Sequence, residues 1–221
     1  MREIRILITI VVVFLSLFIG LSVATIELAK EYELKAEKSY KQANDNYIKQ
    51  EYIKSLVSYV EAITYYTLAY HIYIDKYNDK VNFFRVSEIV LKVSLESDEV
   101  SLKALEQAKN VEKKNNILNI KSSNYLNFAS TLQKMYGVDY KIATQKYDEL
   151  RKKLETEDSI IVSIAKYFAK SIDIQLSVNN YDKAKEYFQE LNKYYQTLDN
   201  RIRDKFAVKK IVDFYKAKVS K

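Results

Sequence analysis

The chain has 221 residues, a net charge of +7, and a composition of Tyr 20, Phe 9, Gly 2, Pro 0, Cys 0, Trp 0 and His 1. No cysteine means no disulfide, thiol nucleophile, cysteine-bound zinc or iron–sulfur cluster, and one imidazole excludes a multi-histidine metal site. Two glycines are too few for a phosphate-cradling loop, and the scarcity of Gly and Pro turn signals argues against β-rich folds, so an all-α chain is expected.

Residues 1–5 form a short basic tail carrying Arg2 and Arg5. Residues 6–26 read ILITIVVVFLSLFIGLSVATI, without a charge. At about 1.5 Å per residue the run spans roughly 31 Å, matching a hydrocarbon core of about 30 Å. The expectation is one N-terminal transmembrane helix, a single-pass signal anchor at the cell membrane. Ser22-Val23-Ala24 keeps a cleaved signal peptide open as the alternative, although the run is longer than a removable signal needs. Arg2 and Arg5 favour a cytoplasmic N-terminus and a body outside, whereas Lys30, Lys35, Lys38 and Lys41 pull the other way.

Residues 27–200 read as one all-helical domain, an irregular repeat-like bundle or short solenoid, because nothing but polar clusters interrupts the 3.6-residue periodicity. Breaks are expected at 49–51, 77–80, 113–116, 137–138, 155–158, 179–180 and 199–200, with a further break or kink at 97–98. Gly137 stands where a helix end favours a left-handed residue, and Asn179-Asn180 can serve the same purpose. Between the first two breaks, Leu56, Tyr59, Ile63, Tyr66, Tyr70 and Tyr73 cover one side of a helix over 52–76, and Val57, Val60, Ala62, Leu68 and Ala69 cover others. A helix apolar nearly all round belongs at the centre of a core.

Three breaks share a pattern. Tyr52 is followed by Ser55, Tyr59 and Ala62; Tyr140 by Ala143, Tyr147 and Leu150; Tyr181 by Ala184, Phe188 and Leu191. Each reads as a turn tyrosine that plugs a hairpin bend, a small residue that lets two helices approach, and an aromatic that fills the groove. This resembles the second half of a tetratricopeptide repeat. Tyr40, Ala43 and Tyr47 extend the resemblance over 36–67 to both helices of a unit. The family's turn glycine is replaced by Gln50 and Asn179, and the spacing of the three tyrosines departs from its period. The first unit is also similar to small helical domains of archaeal proteins, a likeness that carries over no functional residue. The tetratricopeptide resemblance implies a partner segment docked in a groove between helices.

No catalytic constellation stands out. His71 and Asp75, one helical turn apart, read as rim residues of the tyrosine-rich helix. Glu155/Asp158 and Glu186/Glu190 lack the Glu-x-x-His motifs of a carboxylate-bridged di-metal bundle. The chain is therefore expected to be no enzyme and to need no cofactor or metal. The tyrosine pairs Tyr65/Tyr66, Tyr136/Tyr140 and Tyr194/Tyr195 are weighed as core or groove, with Tyr194 and Tyr195 the best surface contacts. Residues 201–221 hold Arg201, Arg203, Lys205, Lys209, Lys210, Lys216, Lys218 and Lys221 against Asp204 and Asp213, which leaves the first 200 residues at +1. An apolar stripe (Val208, Ile211, Val212, Tyr215, Val219) makes this a basic amphipathic helix. It either caps the bundle or lies on an anionic surface of lipid headgroups or nucleic acid.

The sequence thus points to a membrane-anchored helical scaffold or adaptor that binds a protein partner, a second copy of itself included. Binding of an anionic surface through the C-terminal helix is the alternative, with nucleic acid the less favoured form of it.

Overall fold

The computed structural model describes residues 25–139, 141–143, 145–146, 160–199 and 208–220. Their regular structure is all helical: α1 (Ile26–Ile48), α2 (Tyr52–His71) running into a π-helical turn (Ile72–Lys76), α3 (Lys80–Gln107), α4 (Val111–Val138), α5 (Ile160–Ser177), α6 (Tyr181–Thr197) and α7 (Val208–Val219). Residues 141–143 and 145–146 are helical as well.

The expected transmembrane helix is corrected. Among the described residues no helix is long and apolar enough to cross a membrane, and residues 1–24 lie outside the described ones. The two described residues of that apolar run form a helix start. Thr25 is extended, with φ −105° and ψ 166°, and its hydroxyl accepts the Leu28 N–H at 3.2 Å. A capping side chain satisfies an N–H that has no carbonyl one turn earlier to bond. No single helix therefore runs from the apolar segment into 27–41.

Two turns are built alike. Gln50 and Asn179 both adopt φ 59°. Glu51 N–H bonds the Asn46 carbonyl and Asn180 N–H the Gln175 carbonyl, each at 2.9 Å. Both are left-handed helix ends whose last carbonyls are retrieved by the turn, and in each the next helix starts at a tyrosine. A non-glycine residue in this region costs about 1–2 kcal/mol, less for Asn. The turn at 77–79 does the same work with Asn78 at φ 48°, and the π-helical turn widens it, so that Asp79 N–H reaches back to the Tyr73 carbonyl at 2.8 Å.

Other breaks move. The third falls at 108–110 rather than 113–116, because Asn110 caps α4 by accepting the Lys113 N–H at 2.8 Å. Residues 113–116 are helical. No break occurs at 97–98, since Ser97 and Asp98 lie inside α3. Gly137 is not left-handed; α4 ends on an extended Asp139, which starts the next helical stretch by accepting the Lys141 N–H.

Successive helices run up and down. Ser55 donates to the Ala43 carbonyl at 2.8 Å and Tyr59 to Asn44 at 2.9 Å across the α1/α2 hairpin. Tyr70 packs edge-on to Phe83 between α2 and α3, and Asn124 donates to Ser97 at 2.7 Å between α3 and α4. Ser122 donates to the Ser171 carbonyl at 2.7 Å, and Phe128 meets Tyr167, between α4 and α5. The core expected of α2 is present: Leu56, Tyr59, Ile63, Tyr66, Tyr70 and Tyr73 are all buried. Val57, Val60 and Leu68 are only half-covered, so α2 is not enclosed all round.

Candidate functional site

α1 and α3 are not neighbours in sequence, yet their side chains meet in a regular series. Glu33 pairs with Arg85 at 2.7 Å, the Tyr40 hydroxyl donates to Glu96 at 2.8 Å, and Lys103 contacts the Tyr47 hydroxyl. The partners rise together along both helices, so α1 and α3 run parallel, and α2 lies antiparallel to both. The positions 33, 40 and 47 are seven residues apart, which keeps them on one helix face. The result is a shallow furrow with α1 and α3 as walls and Tyr59 and Tyr66 of α2, with Tyr73 of the π-helical turn, below, bridged by tyrosine, carboxylate and basic side chains.

Glu33 anchors one end. It is 8% exposed and accepts from the Tyr73 hydroxyl at 2.6 Å and from Arg85 Nη2 at 2.9 Å. A buried carboxylate needs such partners, since desolvation otherwise outweighs its attraction to any single cation. Burial, then the hydrogen bond to Glu33, raises the Tyr73 phenol well above its ordinary range. Burial, then Glu37 and Glu33, pushes Tyr66 up to about 12, and burial with Glu96 raises Tyr40. These phenols are protonated at neutral pH, and those of Tyr73 and Tyr40 donate to Glu33 and Glu96. At the other end the Lys103 ammonium lies 4.5 Å from the Tyr47 ring centre and 5.5 Å from that of Tyr52, and Tyr47 and Tyr52 pack at 5.6 Å. The furrow presents aromatic faces, hydroxyls and charges of both signs, the chemistry of a binding surface. Among the described residues no group of three or more His, Cys, Asp or Glu is placed to hold a metal ion.

The residues expected to pack the hairpins divide. In the first unit Ser55, Tyr59 and Ala62 are buried and Tyr52 half-buried against Tyr47. In the third, Ala184 is buried, but Tyr181 is 52% exposed and plugs nothing. Tyr187 rather than Phe188 is the buried aromatic there, and Phe188 is half-buried. The helix turns its tyrosine at 187 towards α4, where the hydroxyl lies 3.3 Å from that of Ser123. In the second unit Ala143 is buried; Tyr140 and Tyr147 lie outside the described residues.

Tyr194 is corrected from a surface contact to a core residue: it is 1% exposed and donates to the Ile161 carbonyl at 3.0 Å. Tyr195 is half-buried and packed against the core. Arg201, Arg203 and Lys205 lie outside the described residues. In α7 the apolar stripe is spent on the bundle, with Val208, Val212, Tyr215 and Val219 buried and the Tyr215 hydroxyl on Asp173 of α5. Lys209, Lys210 and Lys216 are exposed on its other side, and Lys218 pairs with Asp173 at 3.1 Å.

His71 and Asp75 are joined by a third group. His71 Nδ1 is 2.7 Å from Asp75 Oδ2, and Lys134 of α4 donates to both oxygens of Asp75 at 2.7 and 2.8 Å. Nothing in the sequence marks Arg85, Glu96, Lys103 or Lys134 as partners of α1 or of the π-helical turn. The one local signal is the seven-residue spacing of Glu33, Tyr40 and Tyr47, which puts them on one helix face.

Comparison with protein-family models, with curated proteins and with solved structures found no match for this chain.

Proposed function

We propose that the chain is a helical scaffold that binds a protein segment along the furrow between α1 and α3, without catalysis. The observation that carries this reading is the parallel placement of α1 and α3 with half-buried Tyr40 and Tyr47 between them. Tyrosine supplies contact area and a hydrogen-bonding tip at small entropic cost, which suits partner recognition. The tetratricopeptide resemblance supports the same use of a groove between hairpins. The test is affinity capture from native-cell extract with the full chain, and with a Glu37→Lys/Lys92→Glu variant that alters two exposed wall residues. A stoichiometric partner, or a second copy of the chain, should be retained by the first and lost by the second. Recovery of no partner, or equal recovery by both, refutes the reading.

A second reading is favoured by the exposed Lys209, Lys210 and Lys216 of α7: attraction to an anionic surface. Since the apolar stripe faces the bundle, this contact would be electrostatic and made to headgroups or phosphates. Binding to anionic vesicles should then fall steeply with salt and disappear in the triple Lys→Glu variant. Salt-insensitive binding would sink it.

A further inference from the structure

We propose that His71, Asp75 and Lys134 form an acid-released latch that holds the end of α4 against the π-helical end of α2. The three groups come from two elements. His71 closes α2 and Asp75 lies in the π-helical turn that follows, while Lys134 belongs to the last two turns of α4. The helices α2 and α4 touch little, and Lys134 on Asp75 is a side-chain bridge between the two elements. Among the described residues, the charged groups acting on His71 are Asp75 from its own turn and Lys134 from α4, and the Tyr70 ring lies 4.5 Å away.

The geometry fixes where a proton can go. A ring nitrogen 2.7 Å from a carboxylate oxygen carries a hydrogen between them, so in the neutral ring Nδ1 is protonated and Nε2 is not. The second proton therefore enters at Nε2 and makes the ring a cation, with Nδ1 only 3.3 Å from the Lys134 ammonium. One carboxylate then serves two cations. Burial first, and Lys134 next among the opposing influences, hold the ring below its ordinary value of 6.5 against the pull of Asp75. The sign follows directly. A folded state that binds the proton less readily than the open state is favoured above about 6.5, and it loses that advantage as pH falls through the range between the two values. Acid thus weakens the hold of the turn on α4 through Asp75, while the contacts of α4 with α3 at Ser97 and Asp98 remain.

His71 is the only histidine, so its ring can be titrated by NMR in the full, unaltered chain. The expected midpoint lies below 6.5. Hydrogen-exchange protection over 128–138, corrected for intrinsic rates, should fall between about pH 7.5 and about pH 5, by about tenfold for each unit of that depression. Protection over 29–43 in α1 should not follow it. His71→Gln should abolish the fall, and Lys134→Met should raise the His71 midpoint. A midpoint at or above 6.5, the same fall in His71→Gln, or an unmoved midpoint in Lys134→Met would each overturn the latch.

Discussion

Replacing Tyr73 by Phe removes one oxygen and leaves the ring in place, so it isolates the hydrogen bond to Glu33. Tyr73 is 1% exposed and its hydroxyl lies 2.6 Å from the carboxylate. The Tyr73 side of this contact is covered, and a hydrogen bond to a charged acceptor contributes about 1.5–3 kcal/mol. Arg85 still holds Glu33 at 2.7 and 2.9 Å, so the carboxylate is not orphaned and the lower half of that range applies, about 2 kcal/mol. Arg85→Met strips the cation instead. Breaking a fully buried pair costs about 3–5 kcal/mol, but the Arg85 side chain is half-exposed and water can replace part of it, which lowers the expectation to about 1–3 kcal/mol. In a Glu33→Gln background the hydroxyl meets a neutral acceptor, and Tyr73→Phe should cost only about 1 kcal/mol. Urea unfolding of the four chains in this cycle measures the difference, with the slope unchanged if the transition stays two-state. In thermal unfolding, Tyr73→Phe alone should lower Tm by about 4–8 °C, at about 2–4 °C per kcal/mol for a chain of this size. A Tyr73→Phe cost below about 0.5 kcal/mol, or equal costs in both backgrounds, refutes the idea that Glu33 is the keystone of this end.

Gln50→Gly should stabilise the chain by about 1 kcal/mol, because glycine adopts the φ 59° turn freely, and Asn179→Gly should gain less; equal, negligible shifts in urea midpoint would contradict the turn geometry. Ser55→Val should cost about 2–3 kcal/mol by placing bulk where the fully buried Ser55 meets the Ala43 carbonyl, read as a fall in Tm. Val212→Asp, in the buried stripe of α7, should destabilise by about 2–4 kcal/mol. The triple reversal of Lys209, Lys210 and Lys216 should by contrast leave stability within about 0.5 kcal/mol; a large loss in the reversal would place those lysines in the packing.

The turns and the core of the first hairpin were legible because their signals are local. Polar clusters at 49–51 and 179–180 mark the left-handed ends directly, and the periodic tyrosines of α2 mark a buried face. The misplaced break at 113–116 has an equally local cause: four polar residues read as a loop, whereas Asn110, three residues ahead of Lys113, is the cap that turns them into a first helical turn. Tyr187 and Phe188 show the limit of pattern matching, since adjacent aromatics sit about 100° apart on a helix and only the neighbour decides which is covered. Tyr194 meets the same limit, because the Ile161 carbonyl that receives its hydroxyl lies on another helix.

By itself the sequence determined the all-helical class seen in the described residues, the first hairpin and its small-residue contact, and the split between a near-neutral body and a basic last helix. Composition and periodicity act within a few turns of chain, and these properties depend on nothing longer. The tertiary structure alone decided that α7 spends its stripe on the bundle, and that Glu33, Glu96 and Asp75 meet Arg85, Tyr40 and Lys134. Those partners stand more than 50 residues apart in the chain, and which charge meets which is set by the stacking of helices rather than by any spacing a sequence displays.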